Sequence, residues 1–171
     1  YVAVSIRDAI NAGIFVGPRI NCSSQYITSH QGLTDYFPVY SVGNPSTGIG
    51  KLVTDLDQAI EVIRMQVKDG VDFVKFAMDG RLLSRDGELL ASFTEDETKR
   101  MVDECHRLGK KTAMHARGRE GTQFSARAGA DLIFHASWAD DECIETMLDN
   151  GCAICPTLLV PYHNQVFTQP T

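Results

Sequence analysis

The 171-residue sequence predicts an α/β fold built from parallel βα units. Three observations carry that expectation. Helix-like stretches close at a glycine and lead into a short strand-like run, and the pattern recurs at Gly13, Gly70, Gly109, Gly129 and Gly151. The runs after Gly70, Gly129 and Gly151 are nearly continuously apolar, as strands under covering helices should be. Residues capable of chemistry then fall where several of these runs end. A doubly wound sheet and a (β/α)8 barrel both satisfy the pattern, although a barrel gathers its strand ends into a single mouth. No G-x-G-x-x-G or Walker-type loop supports nucleotide binding.

Taken in order, Val4 to Asn11 reads as a helix closed by Gly13, and Arg19-Ile20-Asn21-Cys22 as the strand that follows it. Ser23 to Lys51 is rich in Gly, Pro and Tyr and reads as one extended loop over a strand end; loops of this length are often functional. From Asp55 to Asp69, Leu56, Ala59, Ile60, Ile63 and Val67 fall at helical spacing, and Val71 to Met78 follows as a strand. Asp79 to Ser92 reads as a second loop at the same mouth. Thr94-Glu95-Asp96-Glu97 forms a capping box for a helix whose apolar stripe is Met101, Val102, Cys105 and Leu108. The strand Thr112 to His115, a helix from about Glu120 to Ala128, and the strand Leu132 to His135 come next. Asp140 or Asp141 caps a last helix with Ile144, Met147 and Leu148 facing inward, and Cys152 to Cys155 reads as a buried strand.

Composition excludes several function classes. With 43% hydrophobic and 22% charged residues the chain is an ordinary globular sequence, neither disordered nor membrane-spanning. A net charge of -6, a pI near 5.3 and the absence of a Lys/Arg cluster argue against nucleic acid as a partner. Five scattered cysteines form no disulfide framework, which makes a reducing, cytoplasmic setting the default. Cys152 and Cys155 form a C-x-x-C without the second ligand pair that structural zinc requires. The sequence starts at Tyr1 and opens with no targeting segment, so a piece of a longer protein, with localisation left open, is expected.

Two histidines stand at matching places. His115 and His135 each lie six positions after a helix-closing glycine, Gly109 and Gly129, and Lys75 lies five after Gly70. An isolated histidine in an apolar strand is more often a hydrogen-bonded core residue than a ligand, but a shared offset marks one face twice. Lys75 sits among Phe73, Val74 and Phe76, where a bare ammonium is costly; the plain alternative is a side chain that snorkels at a strand end. His30 in the first loop reads as a solvated or packing histidine that can reach a substrate or metal. Arg117 and Arg119 suit a substrate carboxylate or solvent equally well. Trp138 walls a pocket or packs the next helix, and His106, beside Arg107, reads as a surface residue.

The run Val71-Asp72-Phe73-Val74-Lys75, the capped helix from Thr94 to Leu108, Lys111-Thr112-Ala113-Met114-His115-Ala116, Ala128-Gly129-Ala130-Asp131-Leu132-Ile133-Phe134-His135 and Pro156-Thr157-Leu158 together resemble the amidohydrolase superfamily. The likeness is to its imidazolonepropionase-like and prolidase-like branch, and Gly17-Pro18-Arg19 fits that branch too. It implies a metal-dependent hydrolase on a TIM (β/α)8 barrel, of which residues 1–171 form part of a single domain, strands three to seven. It further implies that Lys75 is a carboxylated lysine bridging two divalent metals, zinc by ligand chemistry, with His115 and His135 as further ligands. Tyr162 and His163 fall where the family places substrate contacts.

A desolvated lysine supports the modification, because a lowered pKa exposes a nucleophilic amine to carbon dioxide. The family's His-x-His pair and late aspartate have no counterpart in the sequence, and a barrel runs to roughly 250 residues. The remainder of the barrel is therefore expected from further chain, and the arc alone is expected to be inactive, with open sheet edges that favour association, for example as a homo-oligomer. The expected partner is a small amide: a dipeptide, an acylated amino acid, a cyclic amide or an aryl-urea-like compound. A non-catalytic βα domain with a structural or regulatory metal is the alternative.

Overall fold

A computed structural model describes residues 2–35, 49–159 and 162. Its elements run α1 (Val2–Asn11), β1 (Tyr26–Thr28), β2 (Gly50–Leu52), α2 (Leu56–Lys68), β3 (Phe73–Ala77), α3 (Glu95–Arg107), β4 (Lys111–Ala116), α4 (Arg119–Ala128), β5 (Leu132–His135), α5 (Asp141–Asp149) and β6 (Ala153–Cys155). The strands form one sheet in the order β2-β1-β3-β4-β5-β6, with every pairing parallel. The α/β class and the helix-to-strand repeat therefore stand.

Local chemistry sets the boundaries. Asp55 caps α2 by accepting the Gln58 N–H at 2.9 Å, and Asp140 caps α5 through the Cys143 N–H at 2.9 Å. The Thr94/Glu97 capping box at α3 forms in full. Gly129 closes α4 in the left-handed region at φ 77°, where a side chain would be strained. Val74, Phe76, Met114 and Ile133 are fully buried on one face of the sheet and share a core with Ala59, Ile63, Met101 and Cys105 from the helices. Phe73, Lys75, Leu132 and Phe134, on the other face, are only half-buried.

Three expectations need correction. Arg19 to Cys22 is not a strand: Cys22 exchanges backbone and side-chain bonds with Asp72 alone, and no ladder grows from that single contact. The strands lie instead within the stretch read as a loop, at Tyr26–Thr28, whose aromatic and β-branched residues suit a strand, and at Gly50–Leu52. On α5, Cys143 and Met147 are buried whereas Ile144 and Leu148 are exposed, because no described element packs beyond that side. Cys152 and Cys155 are half-buried free thiols, with Ala153 and Ile154 exposed, since β6 is an edge strand of the sheet.

Glu104 joins α2 to α3. Its carboxylate accepts Arg64 Nε at 2.6 Å and Arg107 Nε and a terminal nitrogen at 2.7 Å, and these two guanidinium groups hold its pKa down to about 2. A depressed carboxylate stabilises the fold above its unfolded pKa, here near 4.5, and that stability is lost as pH falls towards 2. Thermal unfolding across this range should show an acid-dependent fall in Tm that is smaller in Glu104→Gln than in the parent protein.

Candidate metal centre

Register places the first residues of the site. Lys75 lies opposite Ala113 and Ala77 opposite His115, so alternation along parallel strands points Lys75 and His115 to the same, half-open face. Phe134 lies opposite His115 on that face, and the Lys75 ammonium rests over its ring, 4.6 Å from the centroid. Burial pushes the Lys75 pKa down.

His135 needs a further device. Regular alternation would turn it to the helix side, away from His115. Instead His135 has φ 76° and Ala136 φ 46°, two successive non-glycine residues in the left-handed region. The rings then meet edge to face with centroids 4.6 Å apart, and His135 Nε2 lies 2.9 Å from His115 Nδ1. Strain of this kind collects at functional sites.

One outer nitrogen is bonded and the other faces a carboxylate. His135 Nδ1 is 2.5 Å from Thr157 Oγ1, and His115 Nε2, which is buried without a hydrogen-bond partner, stands 3.3 Å from Asp79 Oδ1. Desolvation, with the nearby charges of His115 and Arg117, lowers the His135 pKa to about 4, so this ring is neutral at neutral pH.

Asp79 lies in the segment that follows β3. It is fully buried just past β3 and accepts the backbone N–H groups of Arg117 at 2.5 Å and Gly118 at 2.9 Å. Gly118, the N-cap of α4, has no side chain with which to cap the helix, so Asp79 meets that need from another strand. Burial alone would raise the Asp79 pKa; His115 and the two backbone donors more than offset this and hold it below the ordinary carboxylate value. A carboxyl four residues past an inward lysine, ahead of the α4 start, was the available signal. Thr157, inside a motif already singled out, was missed as well.

No family model matches the chain. An ochratoxinase of Aspergillus niger is 29% identical over 160 residues, which span 85% of this chain and 33% of that protein. The crystal structure of a Xaa-Pro dipeptidase with bound methionine superposes with a TM-score of 0.81 at 30% identity, over 97% of this chain and 43% of that one. The A. niger ochratoxinase structure gives 0.80 at 24% identity, and a solved amidohydrolase 0.73 at 21%. The proteins that this chain resembles are of the prolidase and amidohydrolase type, consistent with the amidohydrolase superfamily. It spans about a third of the length of the curated relatives it matches.

Of the residues singled out in the sequence, His115 and His135 meet, and Lys75 shares their face. Arg117 lies beside them, held by Asp79 Oδ1 at 3.3 Å and the Gly80 carbonyl at 2.7 Å. Arg119 is engaged elsewhere, in ion pairs with Asp140 and Glu142. His30 lies in the loop after β1 and pairs with Asp35 at 3.3 Å; that loop meets the loop after β3 where Gly32 and Gly80 bridge. At Gly80 a Cβ would stand 2.2 Å from the Gly32 carbonyl carbon, so only glycine permits the contact. Tyr162 is exposed and donates its backbone N–H to the Leu158 carbonyl at 3.2 Å, and His163 lies outside the described residues. His106 is at the surface, bonded to Asp131 at 2.8 Å.

A cleft of about 810 Å3 opens between the β3 loop and α4, walled by Leu83, Leu89, Arg117, Phe124 and Trp138, but neither member of the histidine pair lines it. Among the described residues, no group of three or more His, Cys, Asp or Glu side chains is placed to hold a metal ion. The two facing imidazole nitrogens nevertheless suit a borderline cation such as zinc, and Lys75 supplies a third group of a different kind.

The kink gives a direct test. Ala136→Gly removes a left-handed alanine, and urea unfolding should show a gain of about 0.5 to 1 kcal/mol after the lost methyl contact is offset. Ala136→Val, which adds branching at the same φ, should destabilise by more than that gain.

Proposed function

We propose that this chain supplies the central strands of a (β/α)8 barrel in a metal-dependent amidohydrolase that cleaves a C–N bond of a small amide with activated water. The observation that carries the reading is the convergence of His115 Nδ1 and His135 Nε2 at 2.9 Å, on the sheet face that also carries Lys75. The names of the similar proteins, an ochratoxinase and a Xaa-Pro dipeptidase, support hydrolysis.

In this reading Lys75 is carboxylated: its neutral amine adds to carbon dioxide, loses a proton and becomes an anionic carbamate with two oxygen donors. Lowered basicity at a half-buried position favours that addition. When bound, two divalent cations, zinc by ligand preference, supply an activated water and polarise the scissile carbonyl. His115 and His135 offer neutral imidazole donors. Arg117, fixed in place by Asp79, presents a half-exposed guanidinium suited to a substrate carboxylate, and Tyr162, His163 and His30 are further candidates for substrate contact. Dipeptides, acylated amino acids, cyclic amides and aryl-urea-like compounds are the substrate classes, with no role for nucleic acid. The rest of the barrel comes from additional chain, and homo-oligomer formation and a cytoplasmic setting belong to the same proposal. Among the described residues no helix is long and apolar enough to cross a membrane.

The test is hydrolysis of an N-acyl amino acid and dipeptide panel by the full protein that contains this chain. Chelation should abolish turnover and zinc should restore it, while His135→Ala should lower kcat/KM by roughly 100-fold or more. Intact-mass analysis should find one added carbon dioxide that Lys75→Arg lacks. Turnover indifferent to chelator and to His135→Ala would contradict the proposal.

A further inference from the structure

Two walls fixed to each other make the cleft between the segment after β3 and α4 a preformed cavity. That segment folds back on itself as a small hairpin, with Leu83 bridged to Leu89 and the turn closed by the Gly87 N–H on the Ser84 carbonyl at 3.1 Å. The hairpin stands so close to the start of α4 that a Cβ at Gly118 would lie 2.7 Å from the Leu89 carbonyl oxygen. The Ala91 N–H donates to the Glu120 carboxylate at 2.6 Å and ties the same two walls together. The enclosed volume, about 810 Å3, falls in the range of small-molecule sites, ~300–1,000 Å3.

Large apolar side chains line this cleft and remain open to solvent. Leu83 is 57% and Trp138 61% exposed, and Leu89 and Phe124 are half-buried. Apolar surface gathered around one concave site is favourably covered by an apolar group. Trp138 presents an indole, which suits a flat ring or a branched alkyl chain. Its backbone N–H donates to the Arg117 carbonyl at 3.0 Å and holds it at the cleft wall.

Charge decides which apolar ligand fits. Arg119 is committed to Asp140 and Glu142, Arg127 to Glu95 and Glu142, and Glu120 to Ala91, while Arg81 and Glu88 add one charge of each sign. Arg117 differs. Its guanidinium donates one N–H to Asp79 and one to the Gly80 carbonyl, which leaves three of its five donors for a ligand on a side chain 36% exposed. Asp79 does not neutralise it alone, because the same carboxylate accepts two backbone N–H groups and faces His115. A carboxylate is the natural complement, held through paired hydrogen bonds. Since Asp79 touches both Arg117 and His115, one side chain separates the cleft from the candidate metal centre.

We propose that this cleft receives the C-terminal residue of the amide, an amino acid with a large apolar side chain, with its carboxylate on Arg117 and its side chain against Trp138, Phe124, Leu83 and Leu89. The inference rests on the hydrolase reading above for its purpose, but the cleft includes neither histidine and binds without metal. It favours dipeptides and acylated amino acids over cyclic amides and aryl-urea-like compounds, which need carry no carboxylate.

Calorimetric titration of the full protein that contains this chain, stripped of metal by chelator, with N-acetyl-L-phenylalanine reads the cleft directly. Binding is expected, and it should weaken about 10-fold or more for N-acetyl-L-phenylalaninamide, which lacks the charge, and for N-acetylglycine, which lacks the ring. Trp138→Ala should weaken N-acetyl-L-phenylalanine by about 5-fold or more, while Trp138→Phe, which keeps a ring, should stay within about 2-fold of the parent. Trp138 is exposed, so neither change should disturb folding. Leu83→Asp, which places a negative charge on the cleft wall, should weaken binding as well. In the metal-loaded protein, kcat/KM for N-acetyl-L-phenylalanine relative to N-acetylglycine should fall by about 5-fold or more in Trp138→Ala. No binding by the metal-free parent, binding indifferent to Trp138→Ala, or a selectivity ratio that this substitution leaves unchanged overturns the proposal. A parent that binds N-acetyl-L-phenylalanine in this way yet hydrolyses no amide overturns the hydrolase reading instead and leaves the ligand class of the cleft in place.

Discussion

Everything chemical in this chain depends on the parallel register of β3, β4 and β5. Because side chains alternate with a period of two, a slip of one residue would carry Lys75 or His115 into the helix-covered core and replace it with Val74, Phe76 or Met114. The apolar rows of those strands therefore do more than fill the core. By committing one face to burial beneath α2, α3 and α4, they commit the intervening residues to the other. His135 is the exception, and two left-handed residues at the end of β5 turn it to the face that alternation denies it.

The second constraint is a buried charge. Asp79 is inaccessible to solvent, yet it is surrounded by what a carboxylate needs: two backbone N–H groups at the start of a helix, an arginine and an imidazole. This single side chain couples the start of α4 to His115. It also fixes Arg117, so one group joins secondary structure, candidate ligand and candidate substrate contact. Thr157 anchors His135 from the opposite side with a single hydroxyl.

The repeat of helix, glycine and strand was legible in the sequence from β3 onward because each unit ends its helix at a glycine, and α3 and α5 also start at a capping side chain. The equal offsets of His115 and His135 marked them as a pair, but their meeting depends on the left-handed end of β5, which no offset records. Before β3 that punctuation fails. Gly13 closes α1 as expected, but the strand comes at Tyr26, after a stretch in which Cys22 bonds Asp72 and the Gln25 carbonyl accepts from the Gln66 side chain. Three-residue strands such as β1 and β2 are too short for periodicity to reveal. Asp79 was hidden for another reason: its partners are backbone groups 38 and 39 residues away, and no local pattern records them. The exposure of Ile144 and Leu148 shows the limit of helical spacing, which identifies an apolar stripe but not what covers it.

Crystals of the protein soaked in Zn2+ and measured at the zinc absorption edge give the most direct test of this account. It predicts an anomalous peak between His115 and His135, ~2.0–2.1 Å from Nδ1 of the first and Nε2 of the second. A peak bound through the outer nitrogens, or zinc found only at the cysteines or at surface carboxylates, would contradict it.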